Sequence, residues 1–244
     1  MNWFTQYLTS SVGRKLTMSL TGLFLILFLI VHLLGNFQLL KDDGGEAFNK
    51  YTYFMTHNPL IKTISYGLYF FIIVHTIQGL LLWAHNRKAK GQGYAVKTTP
   101  PGVNWASSNM ALLGTLILFF LIIHMGDFWL KMKASHMTDD AWLKMVTGGL
   151  PKKSYEDFAN GEEISNLYIR VAEAFKNPLL VIGYVIGQIV LFFHLSHGFQ
   201  SAFQTLGANH PKYTPFIKAF GLAYAILIPL GFAIIPIIFY ILHN

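Results

Sequence analysis

The sequence contains no cysteine. That excludes disulfides, thiolate metal sites, an iron–sulfur cluster held by this chain and haem attached through thioethers. Charge is scarce too. Only 12% of the 244 residues are Asp, Glu, Lys or Arg, about half the roughly 25% of a soluble domain. No low-complexity segment interrupts the chain. No small-residue cleavage site follows the first apolar stretch, which is also too long for a signal-peptide core, so it reads as a retained helix. A net charge of +7 on its own would suit nucleic acid. With 53% apolar residues and a mean hydropathy of +0.44, the expected surroundings are instead a lipid bilayer, with no nucleic-acid partner.

What the chain does have is five apolar stretches, each with an uncharged run long enough to cross a membrane, for which about 20 residues suffice. The predicted spans are 16–40, 60–86, 105–130, 177–207 and 217–242. The expected fold is all-α: one integral membrane domain over 1–244, a bundle of five transmembrane helices. Orientation follows from loop charge. Arg14, Lys15, Arg87, Lys88, Lys90, Lys97, Lys212 and Lys218 lie on one side with no acidic residue among them, while the other side sums to −1. The basic side is expected to be cytoplasmic, with the N-terminus inside and the C-terminus outside. The outer loop, 131–176, is the only large extramembrane piece. Met137–Asp140 ahead of Ala141-Trp142-Leu143 reads as a helix start, and Ser154–Phe175 as an amphipathic surface helix.

Five of the ten histidines fall inside apolar stretches: His32, His75, His124, His194 and His197. Ionisable residues at membrane depth are rare and usually functional. One reading is a set of interhelical hydrogen bonds. The other is axial ligation of haem, for which neutral imidazole is a standard iron ligand. Depth sorts the residues. His32 stands nine positions before Lys41 and His124 seven before Lys131, about 10–14 Å from the outer charges. His75 is 13 positions after Lys62 and His194 is 18 after Lys176, about 20–27 Å from those charges. Two bis-histidine sites at two levels follow: His32 with His124, and His75 with His194.

Glycine supports this arrangement. Gly79 and Gly198 each follow a histidine by four, on the same helix face, and would leave room for a flat macrocycle. Ordinary small-residue packing is the alternative. The same spacing to glycine selects His194 over His197, which becomes a surrounding or propionate-facing residue. A faint internal repeat is also visible: Gly22 and Gly114 each stand ten residues before a histidine, in GLFLILFLIVH and GTLILFFLIIH.

These residues carry a resemblance. TGLFLILFLIVHLLGN, GGEAFNKYTYFM, HTIQG, HMGDFW and FHLSHGFQSAFQTLG, in that order, resemble the di-haem, five-helix cytochrome b subunit of succinate dehydrogenase and fumarate reductase from menaquinone-using bacteria. The likeness covers nearly the whole chain except the long outer loop. It implies two haem b groups, the distal one on His32 and His124 and the proximal one on His75 and His194. It also implies a flavoprotein subunit and an iron–sulfur subunit docked on the cytoplasmic face, menaquinone as substrate, a bacterial cytoplasmic membrane, and a possible dimer of the whole complex.

This chain would then bind no dicarboxylate. Near the outer haem the quinone candidates are Asn36, Asp127 and Trp129, with Glu46 and His57 weaker; for Asp127 the alternative is a helix-end charge at the headgroups. The inner basic residues would anchor the chain by the positive-inside rule, or pair with haem propionates. Two rival readings stay open. One is a di-haem quinol-linked cytochrome b subunit of another respiratory oxidoreductase. The other is a haem-free transporter or proton channel, which calls for charged coupling groups in mid-helix.

Overall fold

A computed structural model describes residues 2–3, 6–7, 10–90, 104–136 and 148–244. The chain is mostly helical. Its elements are α1 (Ser11–Asn36) with a 3-10 turn (Phe37–Leu40), α2 (Glu46–His57), α3 (Pro59–Lys90), α4 (Trp105–Ser108) and α5 (Met110–His124). After a π-helical turn (Met125–Leu130) come α6 (Lys131–His136), β1 (Lys152–Lys153), a 3-10 turn (Ala159–Gly161), β2 (Ile164–Ser165), α7 (Leu167–Ala174), α8 (Pro178–Thr205) and α9 (Thr214–His243).

Five helical stretches are long and apolar enough to cross a membrane: Ser11–Leu40, Pro59–Ala89, Met110–Ala134, Pro178–Thr205 and Thr214–His243. Their outward faces are hydrocarbon. Phe70 is 61% exposed, Phe119 64% and Leu227 63%. Apolar surface this extensive is characteristic of a chain solvated by lipid rather than water.

Helix starts follow local chemistry. Asn58 caps α3, its Oδ1 accepting from the Leu60 and Ile61 amides, and Pro59 takes the first helical position, where no amide proton is needed. Asn104 does the same for α4, accepting from the Ser107 amide at 2.8 Å. The chain then breaks at Asn109 before α5 begins.

The chain divides into two compact units. The first comprises Met1–Leu29, Tyr66–Leu118 and Ile189–Pro229. Its core is Ile26, Leu195, Phe199, Tyr224 and Ala225, and the Tyr224 hydroxyl donates to the Ile26 carbonyl at 2.6 Å. The second comprises Ile30–Ser65, Phe119–Gln188 and Leu230–Asn244. It is organised by an aromatic cluster of Phe128, Phe175, Tyr184 and Phe239 and by a buried polar knot. In that knot, the fully buried Asn49 donates to Asn166 Oδ1 at 2.9 Å and to the Tyr155 hydroxyl at 3.1 Å, and accepts from the Tyr168 amide at 3.1 Å.

The segment between the third and fourth long helices departs from expectation. Ser154–Phe175 is not one helix. Ala159, Asn160 and Gly161 take positive φ, which ends any helix there. β1 and β2 then pair antiparallel, Lys152 opposite Ser165 and Lys153 opposite Ile164. Only Leu167–Ala174 is helical, capped by Asn166. The segment after the first span also folds as a helix, α2. Asp43 opens it by accepting from the Gly45 and Ala47 amides. The helix start at Met137–Leu143, Pro100-Pro101-Gly102 and Lys97 lie outside the described residues.

Candidate functional site

Each unit holds one pair of facing histidines. In the first unit the rings of His75 on α3 and His194 on α8 have centroids 6.3 Å apart at 67°. In the second, His32 on α1 and His124 at the end of α5 have centroids 5.8 Å apart at 82°. These are the pairs that equal depth along the helices predicts.

The His75–His194 pair is seated on glycine. A Cβ built on Gly22 would stand 3.3 Å from His75 Cε1, and one on Gly114 would stand 3.8 Å from His194 Cε1. The faint repeat in the sequence thus has a structural counterpart: the same position on α1 and on α5 receives an imidazole from α3 and from α8. His75 Nδ1 lies 3.1 Å from Thr21 Oγ1. His194 Nδ1 is buried and finds no hydrogen-bond partner among the described residues. Beside Gly198 nothing lies within 4 Å of an added Cβ, while Gly79 has the Met18 methyl at 3.4 Å. His197, one turn beyond His194, is half-buried.

The His32–His124 pair sits among aromatic rings. Phe120 stacks on His124 at 5.8 Å and 20°, Phe128 approaches it edge-on at 5.6 Å, and Phe232 lies 5.4 Å from His32. The Tyr184 hydroxyl is 3.4 Å from His124 Nδ1. Asn36 donates to the His32 carbonyl at 2.7 Å, and its amide nitrogen lies 3.4 Å from His32 Nδ1.

Asp127 follows in the π-helical turn. Its Oδ1 accepts from the Arg170 guanidinium at 2.7 Å and lies 3.9 Å from Lys131 Nζ. Arg170 Nε also donates to the Asp127 backbone carbonyl at 3.3 Å. Asp127 and Arg170 side chains are each only 21% exposed, so this pair is less screened than a surface one. Trp129 shares the turn and is 37% exposed. Glu46 pairs with Lys50 at 2.7 Å, and His57 stacks on Tyr53 at 3.9 Å; both serve α2 itself.

Outside the spans, Lys50 also binds Asp157 at 2.9 Å. Hydrogen bonds to Glu46 and Asp157 raise the Lys50 pKa above the ordinary lysine value. The bond from Lys50 holds the Asp157 carboxyl below the usual aspartate value.

Thr21, Tyr184 and Arg170 escape the sequence reading. Thr21 and Tyr184 are each one of several polar residues within apolar stretches, and Arg170 is one charged residue among several in the segment between the third and fourth long helices. Those are weak signals until the tertiary structure shows what each touches.

The donor set fits haem. Among the described residues no three His, Cys, Asp or Glu side chains gather into a metal site. The donors come in pairs, and His32 with His124 and His75 with His194 are the imidazoles that would hold a haem iron. No family model, curated protein or solved structure matches the chain.

Proposed function

We propose that this chain is the di-haem cytochrome b membrane-anchor subunit of a succinate dehydrogenase or fumarate reductase in a bacterial cytoplasmic membrane, linking an iron–sulfur partner to menaquinone. The observation that carries the reading is the two facing imidazole pairs, each drawn from two different spans, at 5.8 and 6.3 Å. His32 and His124 hold the distal haem b, and His75 and His194 the proximal one. Bound haem supplies a one-electron couple with no open iron position, suited to carrying electrons rather than binding oxygen.

The chain's own residues do the rest. The aromatic rings around His124 keep its surroundings apolar. Quinone reduction takes up protons together with electrons, so a group able to relay protons belongs beside the quinone. Asp127 is the one acidic residue in the five spans. It stands three residues after His124, with Arg170 holding its carboxylate in place. Asn36 and Trp129 complete the candidate quinone contacts. The basic inner loops suit docking of the iron–sulfur subunit, which in turn carries the flavoprotein, and they set the N-terminus inside. The whole complex is free to form a dimer.

The test is the visible spectrum and haem content of the purified chain. Two haem b per chain are expected; no haem, or one, overturns the reading. Copurification with a flavoprotein and an iron–sulfur protein separates it from a quinol-linked cytochrome b of another oxidoreductase.

A further inference from the structure

We propose that Thr21 is the positioning residue of the His75–His194 pair, holding His75 with Nδ1 protonated and Nε2 as its bare donor atom, while Leu113 leaves His194 without that support. The proposal rests on the two-haem reading above.

Thr21 is 4% exposed, and its hydroxyl has a single proton. The Thr17 carbonyl, at 2.8 Å, and the Met18 carbonyl, at 3.1 Å, take it. The oxygen, its lone pairs still free to accept, lies 3.1 Å from His75 Nδ1. An oxygen already committed as donor accepts from that ring nitrogen, beside the Met18 carbonyl that also faces the ring, so the neutral imidazole carries its proton on Nδ1. Nε2 is then the nitrogen left to bind a metal. The next residue is Gly22, over which the ring lies. Hydroxyl and glycine together make one seat that fixes both the tautomer and the position of the ring.

The second seat is built from the same parts with one replaced. In the repeat, Gly114 corresponds to Gly22, and Leu113 to Thr21. Gly114 receives the His194 ring. Leu113 is almost fully buried and offers only hydrocarbon, and His194 Nδ1 has no partner among the described residues. A ligand imidazole whose other N–H is hydrogen-bonded is more basic and better oriented. A more basic ligand favours the oxidised metal. Thr21 therefore lowers the potential of the haem held by this pair, and Leu113 withholds the same effect on the opposite face.

The experiment is a redox titration of the purified full-length holoprotein, followed in the visible band and by electron paramagnetic resonance of the oxidised form. In Thr21→Val one of the two midpoint potentials rises and its low-spin signal changes, while the other haem is unmoved. Thr21→Ser restores the original values. Leu113→Thr supplies the missing acceptor and shifts the same haem the opposite way. If Thr21→Val holds too little haem to titrate, Leu113→Thr decides by the same readout. Wild-type protein without haem overturns the two-haem reading itself. Wild-type protein with two haems whose potentials neither Thr21→Val nor Leu113→Thr shifts overturns this proposal alone.

Discussion

Replacing Asn49 with leucine tests how the outer segment is held over the end of the second unit. Asn49 is fully buried and makes three hydrogen bonds that tie α2 to Tyr155, to the capping residue Asn166 and to the head of α7 at Tyr168. Leucine keeps the branched shape, is somewhat larger, and makes none of them. Asn166 Oδ1 keeps the Ile169 amide as a donor, so its loss is partial. The Tyr168 amide at the head of α7 loses its acceptor. Counting about 1 kcal/mol for each of the bonds to Asn166 and Tyr155 and about 1–3 kcal/mol for the Tyr168 amide left unpaired, the expected cost is about 3–5 kcal/mol. At about 1.4 kcal/mol per tenfold, local opening rises on the order of a thousand-fold. Hydrogen exchange followed by mass spectrometry reads this directly. Protection across Ile164–Ala174 is expected to collapse, while the long helices α1 and α8 keep theirs. Because α7 carries Arg170, the Asp127 ion pair is lost with it. Exchange within threefold of wild type across α7 would show that the polar knot does not hold the loop.

The other predictions concern charge and the histidine pairs. Asp127→Asn keeps a hydrogen-bond acceptor for Arg170 but removes the carboxylate; quinone turnover is expected to fall about 100-fold with both haem spectra intact, and unchanged turnover removes Asp127 from the quinone site. His32→Ala or His124→Ala is expected to abolish one of two haems and spare the other, with His75→Ala and His194→Ala giving the converse; a variant retaining both at full occupancy contradicts the pairing. The Lys50–Asp157 bridge sets a pH window. The folded Asp157 pKa is depressed, so its contribution is present above the unfolded value of about 3.9 and is lost as pH falls through the folded one. The folded Lys50 pKa is raised, so its contribution is complete below about 10.4 and is lost as pH rises through the folded value. Exchange protection of residues 155–158 should be flat between those limits and fall outside them, and Asp157→Asn should remove the acid limb.

Charge spacing alone made five helices readable, because a run of 20 or more uncharged apolar residues has few other ways to satisfy its backbone. Equal distances from the outer charges also indicated which histidines share a level, since the rise per residue is constant along a helix. Depth says nothing of rotation, however. Only the tertiary structure turns His75 toward His194 and His32 toward His124.

The outer loop resisted for a different reason. Ser154–Phe175 has helical-looking periodicity, but a turn at Ala159–Gly161 and a short strand pair override it, stabilised by a contact from Asn49 more than a hundred residues away. Arg170 and Thr21 are ordinary residues in one dimension. Composition and hydropathy are sums over neighbours in sequence, and they determined the class of the protein. The partners of Thr21, Asn49, Asp127 and His194 depend on which helix faces which, and packing between distant segments alone decides that.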